Sequence, residues 1–120
     1  MEKVSIADKL ALIGKPWTPK IVGEVNDFEV KLAWFEGDFI WHSHADEDEL
    51  FLVIEGTLRM EFRDRQVIVE KGEFIVVPHG VEHRPHADGR CGVLLFERKG
   101  LLNTGDGPTS DLTVENPERI

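Results

Sequence analysis

The 120-residue sequence predicts an all-β fold, a small antiparallel barrel or sandwich, and three observations carry this. Short runs rich in Val, Ile, Leu and Phe recur along the chain. Glycine, proline, asparagine or aspartate separates one run from the next. The single stretch with a helical pattern, near the N-terminus, is brief.

The elements follow in order. Residues 5–13 are predicted as a short helix, with Ser5 and Asp8 in the form of a capping box and Gly14 as its stop. Pro16 and Pro19 impose an extended link around Trp17. Residues 21–25 and 29–35 are predicted strands joined by the turn pair Asn26-Asp27. Gly37-Asp38 is a further break, residues 39–44 alternate as a strand, and residues 45–48 form an acidic loop. Residues 50–54 are apolar without interruption, as a strand buried on both faces would be. After Glu55-Gly56 the pattern of residues 57–63 alternates, with Leu58, Met60 and Phe62 on one side and Arg59, Glu61 and Arg63 on the other. Asp64-Arg65 is a hairpin tip, residues 66–70 a strand, and Lys71-Gly72 a turn. Residues 74–77 form a strand stopped by Pro78 and Gly80. Residues 81–86 and 91–97, with Asp88-Gly89 between them, complete nine predicted strands.

The length suits one domain over residues 1–120, with the barrel core at about 21–98. Residues 99–120 hold Gly105, Gly107, Pro108 and Pro117 and are expected to form an irregular tail, draped on the surface or reaching a partner. A barrel this small leaves sheet edges to be covered, by the N-terminal segment or by residues 101–113 of a second copy.

Composition narrows the function. The net charge is -9, from 14 basic and 23 acidic side chains, with no Lys/Arg cluster. Nucleic acid needs a basic face, so it is disfavoured as a partner. No apolar run approaches the length that spans a bilayer, so no membrane partner is expected. The N-terminus mixes charges and does not read as a secretory signal, which makes the cytoplasm the expected compartment. Cys91 is the only cysteine, so no internal disulfide can form. Its surroundings, CGVLLF, mark it as a small core residue rather than a nucleophile.

All five histidines lie between residues 42 and 86. His42 and His44 are two apart, so in a strand both rings leave the same face. Glu49 follows a short loop and opens the next strand, and His83 comes after the Pro78-His79-Gly80 turn. Neutral imidazoles with one carboxylate are the donors that divalent transition metals prefer. His42, His44, Glu49 and His83 are therefore the predicted metal ligands. A His-x-His pair alone is weak; the combination with its glycine and proline punctuation carries the prediction. His86 is a candidate base placed behind the ligands. Trp34, Phe39, Trp41 and Phe51 are candidates for the pocket wall. Strand parity puts Ile40 with the ligands and turns Trp41 the other way, toward core packing. His79 is expected to be exposed. Arg59, Arg63, Arg84 and Arg90 are candidates for anion binding, against the commoner role of solvated surface charge.

At these residues the sequence resembles the cupin superfamily. GDFIWHSHADEDELFLVIEG, from Gly37 to Gly56, is similar to its first motif, and GEFIVVPHGVEHRPHA, from Gly72 to Ala87, to its second. There are two departures: only four residues separate Gly37 from His42, and Ala87 stands where the motif ends in asparagine. The short linker between the motifs resembles that of small single-domain cupins of the mannose-6-phosphate isomerase-like group. The resemblance implies a double-stranded β-helix (jelly roll) and commonly a homodimer. It also implies one divalent metal ion (Mn, Fe, Ni or Zn) on the four ligands. The function expected from it is a metal-dependent dioxygenase or isomerase acting on a small oxygen-rich or anionic metabolite. The alternative is a non-catalytic binding or sensor module. A seed-storage-like structural role is disfavoured by the small size and the intact ligand set. The catalytic residues are not fixed at this level.

Overall fold

The computed structural model describes residues 1–120. Helix α1 covers Ile6–Ala11. Ser5 caps it, its hydroxyl accepting the Asp8 backbone N–H at 3.2 Å. The predicted cap is realised, but the helix ends two residues before Ile13. Seven strands follow: β1 Lys20–Val25, β2 Phe28–Asp38, β3 Glu49–Glu55, β4 Thr57–Phe62, β5 Gln66–Glu70, β6 Phe74–Val77 and β7 His83–Arg98. No helix is long and apolar enough to cross a membrane.

Two of the nine predicted strands are absorbed or dissolved. Residues 81–86 and 91–97 belong to one strand, the 16-residue β7. Asp88-Gly89 does not reverse the chain. Phe35 of β2 faces Cys91 while Gly37 faces Ala87, so residues 88–90 bulge out of β7. Residues 39–44 form no ladder. Phe39 donates to the Pro85 carbonyl at 3.0 Å, and His42 and His83 exchange two backbone bonds at 3.1 and 2.9 Å. Beyond His42 the backbone finds other partners. The Ser43 carbonyl accepts from Asp106 and the His44 carbonyl from Gly80, at 3.1 and 2.7 Å. A segment whose backbone is bonded to the tail and to a turn cannot also run in a sheet.

All strand pairs are antiparallel, in the order β1-β2-β7-β3-β6, with β4 between β5 and β7. The long β7 is the hinge of this arrangement. Its first half pairs with β4 and its second half with β3, while β2 follows its other edge. The sheet folds over at the bulge into two layers, in keeping with a jelly-roll barrel, but does not close. The outer edges of β1, β5 and β6 have no strand partner. Between the layers lies the core, with Phe35, Phe51, Val53, Leu58, Met60, Val77, Val93 and Leu95 all buried. Burying a side chain of this size is worth about 1.5–3 kcal/mol.

Two other segments position the site. Trp17 is buried with its backbone in the left-handed region, φ 64°, which is unusual for a bulky residue. Its backbone N–H donates to Trp34 at 2.8 Å and its indole N–H to the Glu36 carbonyl at 2.9 Å. Its ring stacks on Phe35 and Phe39 at 4.5 and 4.7 Å. The tail has no strand, yet it is tied down. Asp106 accepts the Ala45 N–H at 2.6 Å, and Asn103 bonds Leu112 and Val114 at 2.8 and 2.9 Å. Ile120 donates to Ile21 of β1 at 3.1 Å.

Candidate metal centre

Four buried side chains meet inside the barrel. Glu49 is the first residue of β3 and His83 the first of β7, while His42 and His44 come from the segment that leaves β2. One donor atom from each lies within 4.8 Å of the other three. Donors about 2.1 Å from a common ion stand roughly 3–4 Å apart, so the cluster is near the size of a coordination shell. Glu49 Oε1 is 3.3 Å from His44 Nε2 and 3.5 Å from His83 Nε2.

Hydrogen bonds behind the rings aim them. His42 Nδ1 lies 2.9 Å from the Ile40 carbonyl and His83 Nδ1 2.9 Å from the Val81 carbonyl. A carbonyl can only accept, so Nδ1–H donates in both, and Nε2 is the lone-pair nitrogen. The front of the cluster is unpaired. His44 Nε2, His83 Nε2 and Glu49 Oε1 are buried with no hydrogen-bond partner, as is His44 Nδ1. Orphaned buried atoms are costly, and three of these four point at one another. A divalent cation would satisfy all three at once. The donor set and the orphaned atoms therefore fit a metal ion.

The electrostatics agree. Burial, then the neighbouring His83, pushes the His42 imidazole down to about 4, so it is neutral near pH 7. For Glu49 burial opposes ionisation, but the neighbouring Glu97, His44 and His83 outweigh it and hold the carboxyl well below its ordinary range. Glu97 is its counterpart. Burial and then the Glu49 charge push it well above the usual carboxylate range.

A cavity of about 30 Å³ adjoins the cluster, room for about two waters. Trp17, Phe35, Phe39, Phe51 and Leu95 form its wall, with His42 and Glu49 as its ionisable groups. Asn103 also reaches it, but its amide is already bonded within the tail.

The structure brings His42, His44, Glu49 and His83 together. It does not bring His86. On β7 that residue alternates to the outer face, where it lies 2.5 Å from Asp38 and 2.7 Å from Asp88. Phe39 and Phe51 line the cavity; Trp34 and Trp41 do not. Trp34 lies outside the barrel under α1, bonded to the Leu10 carbonyl at 3.0 Å. Trp41 does not pack in the core either, because it carries the Arg63 guanidinium over its ring at 3.9 Å. The anion-binding candidates also face outward. Arg59 and Arg84 pair with Glu61, Arg63 with Glu82, and Arg90 covers Trp34. His79 is exposed beside Asp48. Cys91 is fully buried, and burial raises its thiol to about 11.

Sequence reasoning missed Trp17, which the flanking prolines disguised as a linker residue. It also missed Lys31 and Glu97, for which strand parity was the available signal. Lys31 shares a face with Ala33 and Phe35, and Glu97 with Val93 and Leu95, all core residues.

The chain matches the Cupin domain family over residues 29–96. It is 42% identical over 79 residues to the protein YdbB of Bacillus subtilis strain 168, covering 65% of this chain and 70% of that one. A cupin-2 domain containing protein from Shewanella frigidimarina NCIMB 400 superposes with a TM-score of 0.79 at 43% identity, over 80% of this chain and 94% of that one. Protein NMB1881 from Neisseria meningitidis superposes at 0.75 with 31% identity, over 82% and 100% of the two chains.

Proposed function

The chain belongs to the cupin domain family, and we propose that it is a metal-dependent enzyme acting on a small, weakly polar oxygen-bearing metabolite, of the dioxygenase kind rather than the sugar-phosphate isomerase kind. One observation carries this reading: the unpaired ligand atoms lie beside a cavity whose wall is aromatic and aliphatic and holds no lysine or arginine.

His42, His44, Glu49 and His83 would hold the ion. Three neutral imidazoles and one carboxylate leave a divalent ion with a net positive charge and, if six-coordinate, two open positions. Such an ion, when bound, polarises a coordinated oxygen or, if iron, activates dioxygen. The protein's own contribution is the surroundings. The two carbonyl-anchored imidazoles are oriented before any ligand arrives, and Trp17, Phe39 and Phe51 exclude bulk water. A phosphorylated sugar would bury a dianion in this wall without a cationic side chain, and that desolvation is costly. Lys31, the buried cation nearest the cluster, is already engaged by Glu97 at 2.9 Å.

Metal analysis of anaerobically purified, untagged protein tests the reading, followed by oxygen uptake with small phenols and enols and by isomerase assays with sugar phosphates. Near-stoichiometric iron and uptake with an uncharged substrate are expected. Manganese, zinc or nickel with sugar-phosphate turnover would reverse the choice between the two reactions. Metal without turnover of any kind would favour the binding or sensor role. The His42→Ala/His44→Ala double variant should lose at least about nine-tenths of its metal. Equal, near-zero metal in both proteins would refute the metal centre.

The reading extends to a cytoplasmic homodimer. Across four strands the outer face carries apolar residues in register: Val30 opposite Phe96, Phe96 opposite Leu50, and Leu50 opposite Val76. A second row runs Leu32, Leu94, Leu52, Phe74. Helix α1 covers the Leu32 end of that row, whereas Phe74 and Val76 remain 62% and 45% exposed. A flat apolar sheet face is self-complementary, and a second copy is the occupant that covers both at once.

A further inference from the structure

Behind Glu49 the inner face of the sheet holds an unusual row of charge. Glu29 of β2 stands opposite Glu97 of β7. Glu49 of β3 is the neighbour of Leu50, which pairs with Phe96, so it flanks Glu97 on the other side. These three carboxyls are only 6%, 2% and 3% exposed. Like charges side by side in a sheet are destabilising, more so out of water. One buried cation is interposed, Lys31, which is 2% exposed. Its ammonium lies 2.9 Å from Glu97 Oε1 and 3.7 Å from Glu29 Oε1. Arg119 of the tail reaches Glu29 Oε2 at 3.7 Å.

The bonds within the row have a direction. Lys31 occupies Glu97 Oε1. Glu97 Oε2 is buried with no hydrogen-bond partner, and Glu97 flanks the buried Glu49 across the β3–β7 pairing. Glu49 in turn presents Oε1 to His44 and His83. From this geometry we infer that Glu97, braced by Lys31, is a positioning residue that fixes the Glu49 carboxylate for the metal and keeps the Lys31 ammonium away from it. The inference rests on the reading of the four-residue cluster as a metal centre.

Glu97 is also the spacer of the row. Without it, Lys31 would be left beside Glu49 with Glu29 as its remaining close partner, and an ammonium competes with a metal for a carboxylate. Partners that orient metal ligands are worth about 10–100-fold in metal affinity.

Cobalt(II) is a suitable probe, because its affinity is read by competition with a chelating dye and its visible spectrum reports ligand geometry. The proteins to compare are the wild-type chain, Glu97→Leu, Glu97→Gln and the double variant Lys31→Met/Glu97→Leu, with folding followed by circular dichroism. Glu97→Leu should weaken cobalt binding about tenfold or more. Glu97→Gln keeps an acceptor for Lys31 and a donor for Glu49, and should restore both affinity, to within about threefold, and the wild-type spectrum. If Glu97→Leu fails to fold because Lys31 is stranded, the double variant removes both charges together; it should fold and still bind weakly with an altered spectrum. Folded Leu-containing variants that bind cobalt as the wild type does would overturn the inference while leaving the metal centre standing. A wild-type chain that binds no cobalt would overturn the metal centre and the inference with it.

Discussion

Histidines 42 and 86 bind protons with opposite strength, and the difference is set by what surrounds each ring. His42 is buried beside His83 and is pushed down from 6.5 to about 4. Between those values the unfolded chain holds a proton that the folded chain refuses, so stability falls as pH drops through that window. His86 is raised, first by its hydrogen bond to Asp88 and then by Asp38. Its contribution is full below 6.5 and is lost as pH rises through the raised value, and salt weakens it because its partners are exposed. In the presence of chelator, urea denaturation should show wild-type stability falling by up to roughly 3 kcal/mol between pH 6.5 and 4 from His42. His86→Gln should be less stable than wild type at pH 6, with the gap narrowing by pH 9. A pH-independent gap would refute the ion-pair account of His86. Residues like these were unequally legible in the sequence. The clustering of His42, His44, Glu49 and His83 was readable because spacing and turn residues encode it. The outward turn of His86 was not, because it depends on the parity of a strand that continues through an apparent turn.

Among the elements, β7 and the tail explain where the strand prediction stopped working. Asp88-Gly89 carries real turn chemistry, but the chain uses it for a bulge, and only the pairing of both flanks with β2 decides that. The segment before the acidic loop alternates like a strand, yet its carbonyls are taken by Asp106 and Gly80, which are distant in sequence. The tail itself is held by close backbone approach. At Gly105, φ is +80° and an added Cβ would lie 2.4 Å from the Ser43 carbonyl oxygen and 3.1 Å from His42 Cβ. Gly105→Ala should therefore lift the tail from the ligand segment. It should cost about 1–3 kcal/mol in thermal denaturation and speed metal loss to a chelator. Gly107→Ala, where nothing lies within 4 Å, is the control and should be close to neutral. Equal behaviour of the two variants would remove the tail from any role at the centre.

At the scale of the whole molecule, the all-β fold and the barrel core were legible because apolar patterning is local. The sheet's failure to close, and the apolar rows left on its outside, arise from pairing among strands far apart in sequence. The proposed homodimer would be built on those rows. In sedimentation at low concentration the wild-type chain should run as a dimer, and a Phe74→Lys/Val76→Lys variant as a folded monomer, since both positions are outward and exposed. A wild-type monomer would refute the proposed seam. The fold-over of the two layers has one more consequence, through the residue it traps. Of the three tryptophans, Trp34 and Trp41 lie outside the barrel and Trp17 alone lines the cavity, stacked on Phe39, which itself packs edge-on against His42 at 5.3 Å. The indole glow of this chain is thus split between two lamps on the shell and one beside the ligands. A paramagnetic ion arriving at the centre would dim the inner lamp first, giving the protein a native optical gauge of its own occupancy.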